Sequence, residues 1–254
     1  AAGATTSIRL LSAVLFLPLY HPVMVAKLAG TLDIASGGRL TLGVGVGGEN
    51  PGDFTALGLS PTDRGARTNE SLEVLRRVWT EEHVTHEGRF FPLQDVTLLP
   101  RSPQKPHPPI WVAGRKSAAM RRAGRYGDGW LPYFYSPEQY RDSVPTIQVE
   151  AEQAGRDLSG FEWAHYSFIS LYDTREESAR AAAARLGGGF RYDGDFADVV
   201  GRYTILGPVD DAIRRIEEYV EAGARHFILN WMCEARDVRA QMELAANRIV
   251  PYFR

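Results

Sequence analysis

Residues 39–50 read RLTLGVGVGGEN, and this stretch decides the fold of the chain. Apolar residues alternate from Leu40 to Val46, which is typical of a short buried β-strand. Four glycines remove side chains as the strand ends, at positions 43, 45, 47 and 48. A glycine at a strand end permits positive φ and lets a ligand approach the backbone closely. Because Glu49 and Asn50 follow directly, the pattern predicts a strand that opens into a binding loop.

The same glycines also fit the G-x-G-x-x-G pattern of dinucleotide-binding proteins. That pattern requires a helix that begins inside the glycines and an acidic residue about 20 positions later. Here Pro51 and Gly52 interrupt the chain, and the next helix is predicted to start near Thr62. A nicotinamide dehydrogenase on a doubly wound sheet is therefore disfavoured. A glycine-rich strand end that binds nothing is a further alternative.

The composition is that of an ordinary globular protein, with 44% hydrophobic and 24% charged residues in a chain of 254. A net charge of −2 gives no reason to expect nucleic acid or an anionic membrane as a partner. Cys233 is the only cysteine, and the histidines between residues 82 and 108 lack metal-ligand spacing, so we expect no metal site. No apolar run reaches the roughly 18 residues of a membrane helix. We therefore expect a cytoplasmic protein.

Six segments have the apolar composition of buried strands, and helical patterns separate or follow nearly all of them. The strands are predicted at residues 8–17, 39–46, 109–113, 129–133, 163–171 and 225–231. Such alternation predicts a parallel sheet that is covered on both faces. A (β/α)8 barrel has eight such units in about 250 residues. We predict one α/β barrel domain over residues 1–254, lacking the first two βα units and carrying an inserted excursion at about 82–108.

Three stretches resemble the bacterial-luciferase-like oxidoreductases, which depend on FMN or on the deazaflavin F420. They are HPVMVAKLAGTLDIASGGRLTLGVGVGG at 21–48, RGARTNESLEVLRRVW at 64–79 and PHPPIWVAGRKSAAMRRAGRYGDGW at 106–130. The likeness extends over most of residues 1–250, with the segments in that family's order. It implies a TIM barrel whose cofactor lies at the carboxyl ends of the strands. Members of the family begin with two further βα units, which this sequence lacks.

The resemblance implies cofactor contacts in three places. The phosphate cradle is expected at Ala113, Gly114, Arg115, Lys116 and Ser117, because free N–H groups at a helix N-terminus bind anions. A βα turn with merely solvated basic side chains is the alternative. Ala13 and Val14 match the place where the family often has a non-proline cis peptide behind the flavin ring, and an ordinary buried strand is the alternative. Asn50 is expected to contact the cofactor.

Four further residues are candidates for catalysis or for substrate binding. Glu49 is a candidate proton donor in hydride chemistry, although some deazaflavin enzymes have their glutamate where Gly48 stands here. His21 either faces the pocket or caps the helix that follows it. Trp130 and Tyr133 end a strand, where they either line the substrate pocket or belong to the core.

The resemblance implies an enzyme that transfers hydride between F420 and a small organic substrate. F420 is favoured over FMN because LPLYHP at 17–22 and LDIASGGRLTLGVGVG at 32–47 resemble the deazaflavin branch. With FMN, the reaction would be a monooxygenation that depends on a separate flavin reductase. A barrel that binds flavin without catalysis is the third alternative. We expect a homodimer with no nucleic-acid or membrane partner, and we also predict that Arg64 and Glu70 form a structural pair.

Overall fold

The chain folds into two compact units of helices and parallel strands. The structure, a computed structural model, describes residues 1–48, 50–187 and 196–253. Unit 1 consists of Ala1–Leu131 and Thr146–Glu162, and unit 2 consists of Pro132–Pro145 and Trp163–Arg254. That the two units together form one domain over 1–254 stays a prediction.

A parallel sheet runs through unit 1. Its strands are β1 (Leu10–Leu11), β2 (Leu15–Phe16), β3 (Leu40–Gly45), β6 (Ile110–Ala113) and β7 (Gly129–Leu131), and a separate antiparallel hairpin is made of β4 (Val84–His86) and β5 (Leu93–Val96). Strand β3 pairs with β1 and β2 on one side and with β6 on the other, and β6 pairs with β7. The hairpin lies inside the predicted excursion.

Helices follow the strands of unit 1 along the chain. They are α1 (Pro22–Ser36), α2 (Gly52–Ala56), α3 (Arg64–Thr80), α4 (Ser117–Tyr126) and the second half of α5 (Pro137–Gln153). Helix α1 begins at a proline, whose missing N–H costs nothing in a first turn, and ends where Gly37 adopts φ 71°. Helix α3 buries Leu72, Leu75 and Val78, which recur at the helical period.

Unit 2 contains a second group of parallel strands. Strand β8 (Glu162–Ser170) pairs with β9 (Thr204–Leu206) and with β10 (His226–Trp231). Its helices are α6 (Arg175–Gly187), α7 (Phe196–Tyr203), α8 (Val209–Glu221), α9 (Val238–Leu244) and the first half of α5. Successive residues of β8 point to opposite faces, so Phe168 packs in one apolar cluster with Leu186, and Ile169 packs in another with Ile216.

The predicted α/β class with parallel strands is confirmed, although some element bounds differ. The segment predicted as one strand at 8–17 is two short strands, β1 and β2. Helix α2 lies in a predicted loop, and neither α7 nor β9 was predicted. Among the described residues, no helix combines the length and apolar composition needed to cross a bilayer. No three His, Cys, Asp or Glu side chains in these ranges gather where they could ligate a metal ion.

A bulge separates β1 from β2. Leu11 pairs with Thr41 and Leu15 pairs with Val44, so three residues at 12–14 lie opposite two residues of β3. The hydroxyl of Ser12 bridges this irregular step, because it donates to the carbonyl oxygen of Gly43 at 2.9 Å and accepts from the Gly43 N–H at 3.0 Å. The peptide bond between residues 13 and 14 is cis.

Substitution of Gly43 tests this packing. A Cβ at position 43 would lie 2.0 Å from the Ser12 carbonyl oxygen, and backbone atoms cannot move aside cheaply. We expect Gly43→Ala to lower the free energy of unfolding by about 3 kcal/mol, measured by urea denaturation. Gly160→Ala is the matched control, because a Cβ there has no atom within 4 Å. Equal stability of the two variants would contradict the account of the bulge.

A buried histidine lies in the core of unit 2. The Nδ1 atom of His165 is 2.7 Å from the Ser167 hydroxyl, and its Nε2 atom is 3.3 Å from the carbonyl oxygen of Tyr135. Its ring packs on Tyr219 with centroids 4.3 Å apart. Burial lowers the pKa of His165 to about 3, so the folded protein holds this imidazole neutral.

The low pKa of His165 makes stability depend on pH. Between pH 6.5, the ordinary pKa, and pH 3, the unfolded chain binds a proton that the folded chain does not, so stability falls as pH falls through this window. We expect the wild type to lose about 2 kcal/mol more than His165→Gln between pH 7 and pH 5, measured by urea denaturation at each pH. Gly160→Ala, which removes no titratable group and whose Cβ would have no atom within 4 Å, serves as the control and should keep the wild-type dependence. If His165→Gln lost as much stability as the wild type between pH 7 and pH 5, the account of His165 as the titrating group would be contradicted.

Candidate functional site

The candidate site lies at the carboxyl ends of the strands of unit 1. Because the strands of this sheet are parallel, the segments that follow β2, β3 and β6 emerge at one edge. These segments contain most of the predicted site residues.

Glycines at the end of β3 let neighbouring groups pack against bare backbone. A Cβ on Gly45 would lie 3.0 Å from Cγ2 of Val14. Gly47 adopts φ 64°, and a Cβ there would lie 3.2 Å from the ring of Phe16. Gly48 adopts φ 108°, and a Cβ there would lie 2.9 Å from Nε of Arg64. The end of β3 is therefore backbone without side chains, against which Val14, Phe16 and Arg64 pack. Its role as a binding loop stays a prediction.

Two polar residues, Glu49 and Asn50, follow these glycines. Glu49 lies outside the described residues. Asn50 is exposed, and its Nδ2 donates to Oδ1 of Asp53 at 2.8 Å. The structure thus gives Asn50 a local role at the start of α2, and its contact to a cofactor stays a prediction.

The turn after β6 has the features of an anion cradle. Gly114 adopts φ 126°, and a Cβ there would lie 2.7 Å from Cβ of Ala119, so glycine is needed. The exposed residues Arg115, Lys116 and Ser117 then lead into α4, which has no side-chain cap. The backbone bonds to Lys116 O come from residues 119 and 120, so within the described chain the N–H groups of residues 117 and 118 have no acceptor. Such N–H groups at a helix N-terminus attract anions.

Ala13 and Val14 lie in the bulge rather than in a regular strand. Their peptide bond is cis, Ala13 is exposed and Val14 is half-buried. The alternative of an ordinary buried strand is therefore wrong, because the bulge carries these residues out of the ladder between β1 and β2. Their contact with a cofactor stays a prediction.

His21 caps helix α1. Its Nδ1 accepts from the N–H of Val23 at 3.3 Å, and its ring meets Phe91 edge-on with centroids 5.3 Å apart. The side chain is exposed. Of the two roles considered for His21, capping is observed, and catalysis stays a prediction.

The two predicted substrate residues lie in different surroundings. Trp130 is fully buried in unit 1, where its Nε1 donates to the carbonyl oxygen of Gly114 at 2.8 Å and so supports the cradle turn. Tyr133, in unit 2, is half-buried and packs on Phe134 with ring centroids 5.4 Å apart. Direct contact of either side chain with a substrate stays a prediction.

Sequence reasoning missed a polar pair in unit 2. Nδ2 of Asn230 donates to the hydroxyl of Tyr166 at 2.9 Å, and burial raises the pKa of that phenol. The two residues lie on neighbouring strands, with Asn230 paired in register with Phe168. Polar side chains inside the apolar strands at 162–170 and 226–231 were the available signal.

The predicted pair of Arg64 and Glu70 is wrong. The carboxylate of Glu70 accepts from the N–H groups of Phe90 and Phe91, the latter at 2.6 Å. Arg64 instead donates to the carbonyl oxygen of Pro61 at 2.6 Å. The hairpin that brings the two phenylalanines to Glu70 could not be located from helical spacing alone.

The support that Trp130 gives to the cradle is testable. Trp130→Phe removes the donor to Gly114 O, so we expect the free energy of unfolding to fall by about 1–2 kcal/mol. Hydrogen exchange should also quicken at Ala119 and Met120, whose N–H groups form the first bonds of α4, but not in α1. Unchanged exchange at these two residues would show that the turn does not depend on the indole.

The chain is similar in sequence to known proteins. Residues 1–226 match the family model described as luciferase-like monooxygenase. The chain is 32% identical to a 4-hydroxyprotoasukamycin monooxygenase from Streptomyces nodosus subsp. asukaensis, over 100% of this chain and 76% of that protein. It is 28% identical to an F420-dependent glucose-6-phosphate dehydrogenase from Nakamurella multipartita, over 100% of this chain and 80% of that protein.

A solved structure of an F420-dependent secondary alcohol dehydrogenase, in complex with an F420-acetone adduct, also resembles this chain. The TM-score is 0.85 at 23% identity, and the likeness covers 100% of this chain and 82% of that one. At this level of identity the likeness concerns the fold. The predicted resemblance and the predicted fold class are both confirmed.

Proposed function

Because the chain belongs to the luciferase-like monooxygenase family, we propose that it is an F420-dependent oxidoreductase that transfers hydride to or from a small organic substrate. The family comprises oxidoreductases and monooxygenases that depend on flavin or on F420. Within that family, the proposal concerns which cofactor this chain binds and which reaction it catalyses.

The observation that carries the proposal is the cradle at the end of β6. Gly114 turns the chain in a conformation that a side chain would obstruct, and α4 begins without a cap. Lys116 and Arg115 add positive charge beside the open N–H groups. Both F420 and FMN carry a phosphate, and these residues suit a phosphate group.

The preference for F420 rests on two supports. The segments at 17–22 and 32–47 resemble the deazaflavin branch, and the dehydrogenase from Nakamurella multipartita is similar over the whole of this chain. When bound, the cofactor ring accepts or gives the hydride, while the protein positions the reactants. The bulge at Ala13 and Val14 and the side chain of Asn50 are assigned to holding that ring.

Proton transfer is assigned to two residues. Glu49 follows the glycines that end β3 and is the candidate proton donor. His21 uses Nδ1 for the helix cap, so Nε2 is the atom that can exchange a proton with a substrate. Tyr133 is assigned to substrate binding, and Trp130 to substrate binding as well as to its observed support of the cradle.

A second candidate function is an FMN-dependent monooxygenation supported by a separate flavin reductase. The observation that favours it is the 32% identity to the Streptomyces monooxygenase. A related FMNH2-dependent dimethylsulfone monooxygenase from Pseudomonas putida is also 32% identical, although the match covers only 72% of this chain and 50% of that protein. Both candidates require the same phosphate cradle, so they differ in cofactor choice and in the use of oxygen.

Cofactor titration tests the proposal. Purified protein is titrated anaerobically with F420 and with FMN while tryptophan fluorescence is followed. We expect tighter binding of F420, and Gly114→Ala should weaken it by about tenfold or more, since a side chain there displaces the cradle. Gly160→Ala is the control and should bind as the wild type does.

Measurement of turnover then distinguishes hydride transfer, monooxygenation and cofactor binding without catalysis. Anaerobic reduction of F420 by a panel of alcohols is the expected result. Preference for FMN, with oxygen consumed when a flavin reductase is supplied, would establish the second candidate instead. Cofactor binding without either reaction would indicate a non-catalytic flavin-binding protein and contradict the proposal.

A further inference from the structure

Arg67 in helix α3 is held against two aromatic rings. Its guanidinium carbon lies 4.8 Å from the ring centroid of Phe91 and 5.2 Å from that of Phe90. Its Nε donates to the carbonyl oxygen of Pro18 at 3.2 Å. Stacking on aromatic faces orients a planar guanidinium and stabilises its charge. The position of this cation is therefore fixed by three other residues.

Among the described residues, which do not include Glu49, the half-buried Arg67 has no acidic partner. The Glu70 carboxylate accepts from backbone N–H groups of the hairpin, and Asp63 pairs with Arg89 at 3.3 Å. Across residues 1–48, 50–187 and 196–253, no ion pair involves Arg67 or Arg64. A partly desolvated cation is costly without a counter-charge, and an anionic ligand would supply one.

The start of α3 strengthens this argument. Asp63 occupies the N-cap position of the helix but makes no capping hydrogen bond and pairs with Arg89 instead, and the first turn has no acidic residue. Arg64 and Arg67 both lie near this N-terminus. Cations there oppose the helix dipole. An anion at this end would be favoured by the dipole and by a guanidinium that can donate two parallel hydrogen bonds.

These residues adjoin the edge where the strands of unit 1 end. Pro18 follows β2, and Phe16 lies against Gly47 at the end of β3. Arg64 lies against Gly48 in the same loop. Arg67 thus contacts the segment that follows β2, and Phe16 at the end of β2 packs on the glycines that end β3.

We propose that Arg67 binds the carboxylate of an organic acid substrate, with the half-buried ring of Phe90 beside the substrate's apolar body. That the ligand is a substrate rests on the proposed function. A guanidinium fork matches a carboxylate geometrically, and phenyl rings favour an apolar neighbour. An anionic group of the cofactor is the other source of a negative charge, and the test separates the two.

The test compares benzoate with neutral benzamide by calorimetric titration into the cofactor-loaded protein. Arg67→Met should weaken benzoate binding by about tenfold or more, as expected for loss of a charge-assisted hydrogen bond, and should leave benzamide binding unchanged. Arg89→Met is the matched control. Arg89 also stacks on Phe90, at 4.6 Å, but its side chain is 71% exposed and already paired with Asp63, so its loss should not change benzoate affinity.

Arg67→Lys keeps the charge but loses the fork, and should fall between the wild type and Arg67→Met; a thermal melt of each variant confirms that it folds. Equal benzoate affinity in the wild type and Arg67→Met, or no benzoate binding by the wild type, would overturn the inference. Loss of cofactor affinity in Arg67→Met would assign the cation to the cofactor and also overturn it. The titration is repeated on cofactor-free protein. If benzoate binds there in a way that depends on Arg67, and the protein binds neither cofactor, then the proposed function is refuted while the carboxylate site at Arg67 stands.

Discussion

The contact between Ser12 and Gly43 is the constraint on which the candidate site depends. Ser12 reaches both backbone polar groups of Gly43 because position 43 has no side chain. This contact lets the chain insert one extra residue between β1 and β2 while both strands remain paired with β3. The bulge then sets where Phe16, Pro18 and His21 leave the sheet, and the ring of Phe16 borders Gly47 at the end of β3.

In unit 1, the groups proposed to bind anions lie near the N-termini of two helices. Helix α4 offers open N–H groups after Gly114, where a phosphate would meet backbone and basic side chains. Helix α3 offers Arg67, whose guanidinium stacks on aromatic rings and has no carboxylate partner within the part of the chain that the structure describes. A site with two separate places for anions suits a reaction in which an anionic cofactor meets an anionic substrate.

Much of the fold could be predicted from the sequence, since apolar runs with helical patterns between them indicate parallel strands. The end of helix α1 at Gly37 follows from its residue type, and the hairpin of β4 and β5 lies inside the segment that was predicted as an excursion. The bulge at residues 12–14 could not be predicted from local residue types, because it depends on contacts with β3 that lie about thirty positions away. The family resemblance did indicate a cis peptide at Ala13 and Val14, which the structure has. Glu70 was given the wrong partner for the same reason, since backbone N–H groups of Phe90 and Phe91 reach it only in the folded chain. In the site, glycines were found readily because their absent side chains leave a clear pattern, whereas Arg67 resembled any helical arginine.

The most direct test of the account is a crystal structure of the protein with F420 bound. The account predicts the phosphate within hydrogen-bond distance of the N–H groups of residues 117 and 118, with the ring against the Ala13–Val14 bulge. A phosphate bound away from the start of α4, or a ring that does not touch the bulge, would contradict the central claim that these strand ends form the cofactor site.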